Sequence, residues 1–179
     1  MATTIVTENL TEATTITQDT PVATTSGTSA SFTGIAAGIV KVEFDFANVS
    51  VNTDSLVQSM QIGDAGGLEA TGYIAGAAGA LLLNTSGADI DTTAFRWWMD
   101  YNKAVNTISG KITLTREESG SNTWILSGTL MCENQTATNT GGHTTVGGTK
   151  TLSGELTQVQ FAISSGAFDN GSINATYYS

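Results

Sequence analysis

The chain contains one histidine and one cysteine, which limits the chemistry that its side chains can perform. His143 lies in the glycine-containing run 139–144, which indicates an exposed loop, and no Asp or Glu stands near it to complete a metal site. Serine is plentiful, but no G-x-S-x-G turn occurs to present a nucleophile. Cys132 has no intrachain disulfide partner, and we expect a buried, unreactive thiol on a strand. These residues favour a non-enzymatic protein without a cofactor.

Two acidic segments could offer carboxylates to Ca²⁺. Residues 63–69 contain Asp64 and Glu69, and residues 87–91 contain Asp89 and Asp91. Neither segment has the dense, alternating oxygen ligands of a dedicated calcium loop. Turn formation by Asp beside Gly is therefore the preferred interpretation of both, and we predict no metal site.

The run Phe-Arg-Trp-Trp-Met at residues 95–99 is the strongest local feature. In a strand, Trp97 and Trp98 face opposite sides, so one fills the core and the other is left for a surface. Exposed aromatic rings form sugar-binding platforms and also subunit contacts, and the adjacent Arg96 favours a subunit contact. We predict a partner-binding surface formed by Arg96, Trp97, Trp98 and the nearby Tyr101.

The composition predicts an all-β domain. The 179 residues include 31 Thr, 16 Ser, 20 Gly and one Pro, so that hydroxyls rather than charges supply the polarity. Threonine favours strands because its branched Cβ suits a pleated surface, and glycine supplies turns. From residue 22 onward, short alternating segments such as 39–46 recur between turn residues. We predict one jelly-roll-like β-sandwich of about eight to ten strands at residues 21–179.

Alternation within the segments also predicts the core and the less regular stretches. Flanking glycines favour a loop or a short strand over a helical turn at residues 78–84, and residues 151–164 read as one strand. The inward-facing residues are predicted to include Phe32, Val42 or Phe44, Ile62, Tyr73, Ile112, Leu114, Trp124, Leu126, Val159, Phe161 and Ile173.

Residues 1–20 are predicted to form an extended N-terminal arm. They show neither a helical face nor turn chemistry, and they cannot bury enough side chain to order themselves. One β-prone run in the arm is suited to strand addition at the edge of a neighbouring sheet. That run is Thr3, Thr4, Ile5, Val6 and Thr7.

The charge of the chain excludes several classes of partner. Six Lys and Arg are scattered among sixteen Asp and Glu, which gives a formal charge of −10 and no basic patch for the phosphates of nucleic acid. An anionic membrane surface is equally unfavourable, and no apolar run approaches the roughly 18 residues of a membrane span. The N-terminus lacks the basic and apolar regions of a signal peptide, so we expect synthesis in the cytoplasm.

Several segments in a fixed order resemble a known family. These are residues 20–28 (TPVATTSGT) before 32–35 (FTGI), residues 61–73 (QIGDAGGLEATGY), and residues 168–177 (FDNGSINATY). The order is similar to that of a β-rich domain that recurs in tailed-bacteriophage structural proteins, where it stands free or at the tips of tail fibres. The resemblance covers roughly residues 20–178.

The resemblance implies a virion component and transfers no catalytic residue. Only about 20 residues precede the domain, with neither heptads nor a β-helical shaft, and from this we expect a capsid decoration or cement protein. Its expected partners are the major capsid protein, contacted through the arm, and other copies of itself in a trimer on the capsid surface. A receptor-binding tail-fibre tip that recognises host glycans is the alternative, and another tail or head-fibre component is a third.

Overall fold

The computed structural model describes residues 15–54, 58–81, 86–97, 104, 106–134 and 141–179. The regular elements in these residues are all β-strands, and each strand pairing is antiparallel. No helix with the length and hydrophobicity needed to cross a membrane is present among them. The predicted fold class is confirmed, because the chain folds as a jelly-roll-like β-sandwich of two packed sheets.

The larger sheet contains nine of the fourteen described strands. Across the sheet the order is β1 (Ile16–Gln18), β14 (Phe168–Tyr178), β4 (Lys41–Val51), β10 (Asn106–Arg116), β11 (Thr123–Asn134), β12 (Gly142–Thr151), β7 (Tyr73–Leu81) and β8 (Ser86–Asp91). The short β2 (Val22–Ala23) pairs with β14 beyond β1.

The smaller sheet contains the other five described strands and covers one face of the larger sheet. Its order is β3 (Ser29–Thr33), β13 (Gln158–Ile163), β5 (Gln58–Asp64) and β6 (Gly67–Leu68), and β9 (Phe95–Trp97) also pairs with β5.

β4 shows how side-chain alternation orients the larger sheet. Val42 and Phe44 are fully buried and face the smaller sheet, whereas Glu43 and Asp45, between and after them, face away from it. A shift in the pairing of one residue would turn the charged side chains into the core, so the alternation also fixes the register. Every residue predicted to face inward is buried in the structure.

Phe161 of β13 lies at the centre of the core and joins the two sheets. Its ring centroid lies 5.0 Å from that of Phe44 and 5.2 Å from that of Phe46, both on β4 of the larger sheet. On its own sheet it lies 6.1 Å from Phe32 and 6.0 Å from Trp97. The contacts with Phe32, Phe44 and Phe46 are near-perpendicular, an arrangement that the charge distribution of aromatic rings favours.

Two details of the strand assignment differ from the sequence prediction. More strands are present than the eight to ten expected, because very short strands such as β1, β2 and β6 give weak alternation signals. The predicted single strand at residues 151–164 is wrong, since β12 ends at Thr151 and β13 begins at Gln158. Between them the chain crosses from one sheet to the other, and Leu152 and Leu156 are buried in the crossing.

The run QIGDAGGLEATGY contains a tight hairpin, and its last residue, Tyr73, forms hydrogen bonds between the two sheets. β5 and β6 are joined by two turn residues, and a Cβ on Gly63 would lie 2.1 Å from the Gly67 carbonyl oxygen, so only glycine fits there. The Tyr73 hydroxyl, on the larger sheet, accepts the Ile62 N–H at 2.9 Å and donates to the Glu69 carbonyl oxygen at 2.9 Å. Tyr73 is the first residue of β7, so its buried side chain links the hairpin of the smaller sheet to the larger sheet.

Trp124 of β11 is 1% exposed and is among the largest fully buried side chains. Trp124→Ala should lower the free energy of unfolding by about 3–5 kcal/mol, because the removed indole leaves a cavity that the close-packed core fills only in part. Ser127→Ala, at an exposed position of the same strand, is the control and should change stability by less than about 0.5 kcal/mol. Chemical denaturation measures both values, and a loss below about 1 kcal/mol for Trp124→Ala would contradict the described packing.

Candidate interaction surfaces

The predicted partner-binding segment begins on β9 at one side of the smaller sheet. Trp97 is 3% exposed, and its indole N–H donates to the Gln58 side-chain oxygen at 2.7 Å. Trp97 is therefore the tryptophan that fills the core, and it offers no surface to a partner. Trp98 and Tyr101 lie outside the described residues, so their partner-binding role stays a prediction.

Arg96 faces away from the core but is held by an ion pair. Its guanidinium lies 2.7 Å from the Asp91 carboxylate, whose other oxygen accepts the N–H groups of Thr93 and Ala94 at 2.5 and 3.1 Å. Asp91 thus fixes the turn between β8 and β9 and the arginine that follows it. About one third of the Arg96 side chain remains exposed, which leaves part of it accessible for the predicted subunit contact.

The arm residues predicted to bind a partner, Thr3 to Thr7, lie outside the described residues. The last part of the predicted arm does have a defined place, since residues 15–24 follow the edge of β14. Between β1 and β2, the Asp19 N–H donates to the Ala175 carbonyl oxygen at 2.9 Å. After β2, the Thr24 N–H donates to the Gly171 carbonyl oxygen at 2.9 Å. β1 therefore belongs to the larger sheet although it lies before the predicted domain boundary at residue 21.

The acidic residues of the 63–69 segment bind groups of the protein itself. Asp64 accepts the Gly66 N–H at 2.7 Å and the Ser153 hydroxyl at 2.5 Å, and these hydrogen bonds, that of Ser153 foremost, lower its pKa. Glu69 forms an ion pair with the buried Lys150, which lowers the pKa of Glu69. The segment is a structural turn, and no group of three His, Cys, Asp or Glu side chains in the described part of the chain could hold a metal ion.

His143 was predicted to lie in a loop and residues 87–91 in a turn, and both predictions are wrong because both segments belong to strands. His143 is exposed, but it lies within β12 between Met131 of β11 and Ala80 of β7. On the inward face of β12, Thr144 is fully buried and Lys150 almost fully buried. Because these buried residues are polar, the sequence lacks the apolar alternation that usually indicates a strand. Residues 87–91 belong to β8, where the pattern is inverted because Ile90 is exposed and Asp91 is buried.

Cys132 is buried on β11, as predicted. Burial raises the pKa of its thiol to about 11, since the charged thiolate is poorly solvated in the core. The thiolate is the reactive form of cysteine, so this side chain is a poor nucleophile at neutral pH.

The outer face of the larger sheet, which the smaller sheet does not cover, has a charged half on β14, β4 and β10. Glu43 lies at its centre, with Lys111 Nζ at 2.9 Å and Lys41 Nζ at 3.1 Å, and it accepts the Tyr178 hydroxyl at 3.0 Å. Lys111 also lies 3.3 Å from Asp45. The hydrogen bond from Lys111 lowers the pKa of Glu43 to about 2; burial opposes this effect, and the bonds from Lys41 and Tyr178 add to it.

The other half of this outer face, on β11, β12, β7 and β8, is uncharged over most of its length, and the exposed Glu133 near the end of β11 borders the uncharged part. It consists of the outward side chains within residues 123–131, 143–151, 74–78 and 88–90, and we call it the neutral face. Its described outward residues are Thr, Ser, Gly, Ala, Ile, Met and His143, with no Asp, Glu, Lys or Arg among them.

Comparison with protein-family models, curated proteins and solved structures finds no match for this chain.

The lowered pKa of Glu43 predicts a dependence of stability on pH. The folded state favours the ionised carboxylate, so this stabilisation is complete above the ordinary pKa of 4.5 and is lost as the pH falls toward about 2. Glu43→Gln should therefore be less stable than the native protein at pH 7, and the difference should shrink below pH 4.5. Denaturation curves between pH 7 and pH 2 measure it, with Glu118→Gln in the exposed β10–β11 turn as the control. A difference that stays constant with pH would contradict the described network.

Proposed function

We propose that the protein is a bacteriophage capsid decoration protein that binds the outer face of the head and stabilises it through contacts with the major capsid protein. The observation that supports this best is the course of residues 15–24 along β14, which anchors the N-terminal segment to an edge of the sandwich. An arm that leaves from a sheet edge is suited to reach a neighbouring protein and to pair with a strand there.

The chemistry of the described residues agrees with a binding role. The carboxylates of Asp64, Glu69 and Asp91 are engaged in hydrogen bonds or ion pairs that hold turns, and the one thiol is buried. Proteins that decorate a shell act by adding buried area between subunits, and many weak contacts together give strong attachment. A folded sandwich with one anchored arm per copy meets this requirement when several copies act together.

The burial of the aromatic rings in the described part of the chain favours decoration over the alternative of a glycan-binding fibre tip. Platforms for sugars need exposed aromatic faces, but Tyr73, Trp97 and Trp124 are at most 3% exposed, and Tyr177 is 8% exposed. Tyr178 is partly exposed, but Lys41 Nζ lies 3.7 Å from its ring centroid. Binding to nucleic acid or to an anionic membrane is disfavoured by the net charge of −10.

The proposal includes the place and the assembly of the protein. The protein is made in the host cytoplasm and joins the virion at the capsid surface. A trimer over a three-fold position of the shell would present three arms to it, so that loss of any one contact would weaken attachment without ending it.

Removal of residues 2–14 tests this proposal without disturbing β1. The truncated protein should melt as cooperatively as the full chain, because the ladder along β14 begins at Thr15, but it should no longer attach to heads. The measurement mixes purified protein with phage heads that lack it, sediments the heads and quantifies the bound protein. A variant with residues 3–7 replaced by Gly and Ser is the matched control for arm length, and it should also fail to attach.

Two outcomes contradict the proposal in different ways. Full occupancy by the truncated protein would show that the arm is not the anchor. If the full chain does not bind heads but binds host cells, the protein is a receptor-binding tip instead.

A further inference from the structure

The neutral face contains most of the exposed large apolar side chains in the described residues. Of six such residues, four lie on it: Ile74 is 75% exposed, Ile90 81%, Ile125 41% and Met131 55%. Single exposed apolar residues are common on protein surfaces, but a group on one flat sheet face marks an interaction site.

The strand register brings three of these residues into one patch. Thr149 of β12 pairs with Ile125 on one side and with Ile74 on the other, so both isoleucines flank it on the same face. Ile90 of β8 lies opposite Gly76, which places it diagonally beside Ile74. Small residues and threonines fill the space around the patch, so the backbone of a second sheet can approach it closely.

The distribution of charge identifies a second copy of the chain as the occupant. A strongly acidic or basic partner would find no complementary charge on the neutral face. The net charge of −10 lies outside the neutral face, so two copies that meet through other parts of their surfaces bring an excess of like charge together. Two neutral faces can meet without this repulsion, and depletion of charge at the centre is typical of protein interfaces.

The size of the neutral face sets the strength of the contact. With strands about 4.8 Å apart and residues about 3.3 Å apart, its two long and two short strand segments give a flat footprint of about 410 Å². Specific, stable interfaces bury about 600–1,000 Å² on each partner, and side chains that interlock add area beyond the flat footprint, so we expect a weak association that depends on protein concentration. Aligned packing of two sheets at about 10 Å is also the usual geometry of such faces.

We propose that two copies of this protein pack face to face through their neutral faces, related by a two-fold axis, with Ile74, Ile125 and Thr149 at the centre of the contact. A contact of one surface with itself has two-fold symmetry, so it is distinct from the three-fold contact of a trimer. The assembly in solution is then a dimer, or a hexamer where both contacts form. This inference does not depend on attachment to a capsid.

Thr149→Lys in the full-length protein tests the two-fold contact. It places a charge at the centre of the face but reduces the net negative charge of the chain from −10 to −9, so overall repulsion between copies cannot account for a loss of association. Sedimentation equilibrium should show an even-numbered native assembly and at least tenfold weaker association across the two-fold contact in the variant. Thr176→Lys, on β14 in the charged half, is the matched control and should associate as the native protein does.

A second variant excludes misfolding as the cause. Ile90→Ser changes a side chain that is 81% exposed on an edge strand, so it should melt like the native protein and still weaken association. A native protein that is monomeric or trimeric at 100 times its assay concentration overturns the inference. Unchanged association of both neutral-face variants overturns it as well. The inference is also overturned if the native protein is a monomer and the neutral-face variants no longer attach to heads, because the neutral face would then bind the shell and not a second copy.

Discussion

The packing of Phe161 against both sheets is the interaction on which the other features depend. Its ring contacts two rings of β4 and two of its own sheet, so it fixes the separation of the two layers at the middle of the sandwich. Because protein cores are packed as densely as organic crystals, that separation decides which side chains fit elsewhere in the core. The smaller sheet covers one face of the larger sheet and leaves the other face to solvent. That uncovered face carries both the Glu43 network and the neutral face.

A second constraint acts at the end of the sandwich, where backbone and polar groups replace rings. The Tyr73 hydroxyl binds the backbone of β5 and of Glu69, while the carboxylate of Glu69 pairs with Lys150 on β12. Burial raises the pKa of Tyr73 to about 12, so the hydroxyl stays protonated and continues to donate at any physiological pH. The glycines of the hairpin serve this arrangement, since a side chain at Gly63 would separate the strands that Tyr73 joins.

The sequence predicted the elements whose apolar residues alternate, and it failed where the alternation is absent or inverted. Val42, Phe44, Leu126 and Phe161 follow the pattern and are buried as expected. In β12 two of the buried positions are filled by Thr144 and Lys150, whose partners lie on distant segments that no local pattern reveals. In β8 the exposed Ile90 belongs to the neutral face, so the residue that obscured the strand is part of the inferred interface. The partner-binding role of Trp97 could not be judged locally either, because a strand pattern does not tell which of two adjacent tryptophans faces inward.

The course of residues 15–24 along β14 has a mechanical consequence. β1 and β2 are antiparallel to β14. Thr15 lies beside Ser179, and the Ser179 N–H donates to the Thr15 carbonyl oxygen at 3.1 Å. A force on Thr15 along the strand axis shears the ladder and loads all of its hydrogen bonds together. A force directed away from the sheet edge instead opens the bonds one after another, beginning at β1. Resistance to forced opening is set by the height of the barrier to rupture, and that barrier is higher in shear. A sandwich tethered through this segment therefore resists sliding along the axis of β14 more strongly than it resists being peeled from its edge.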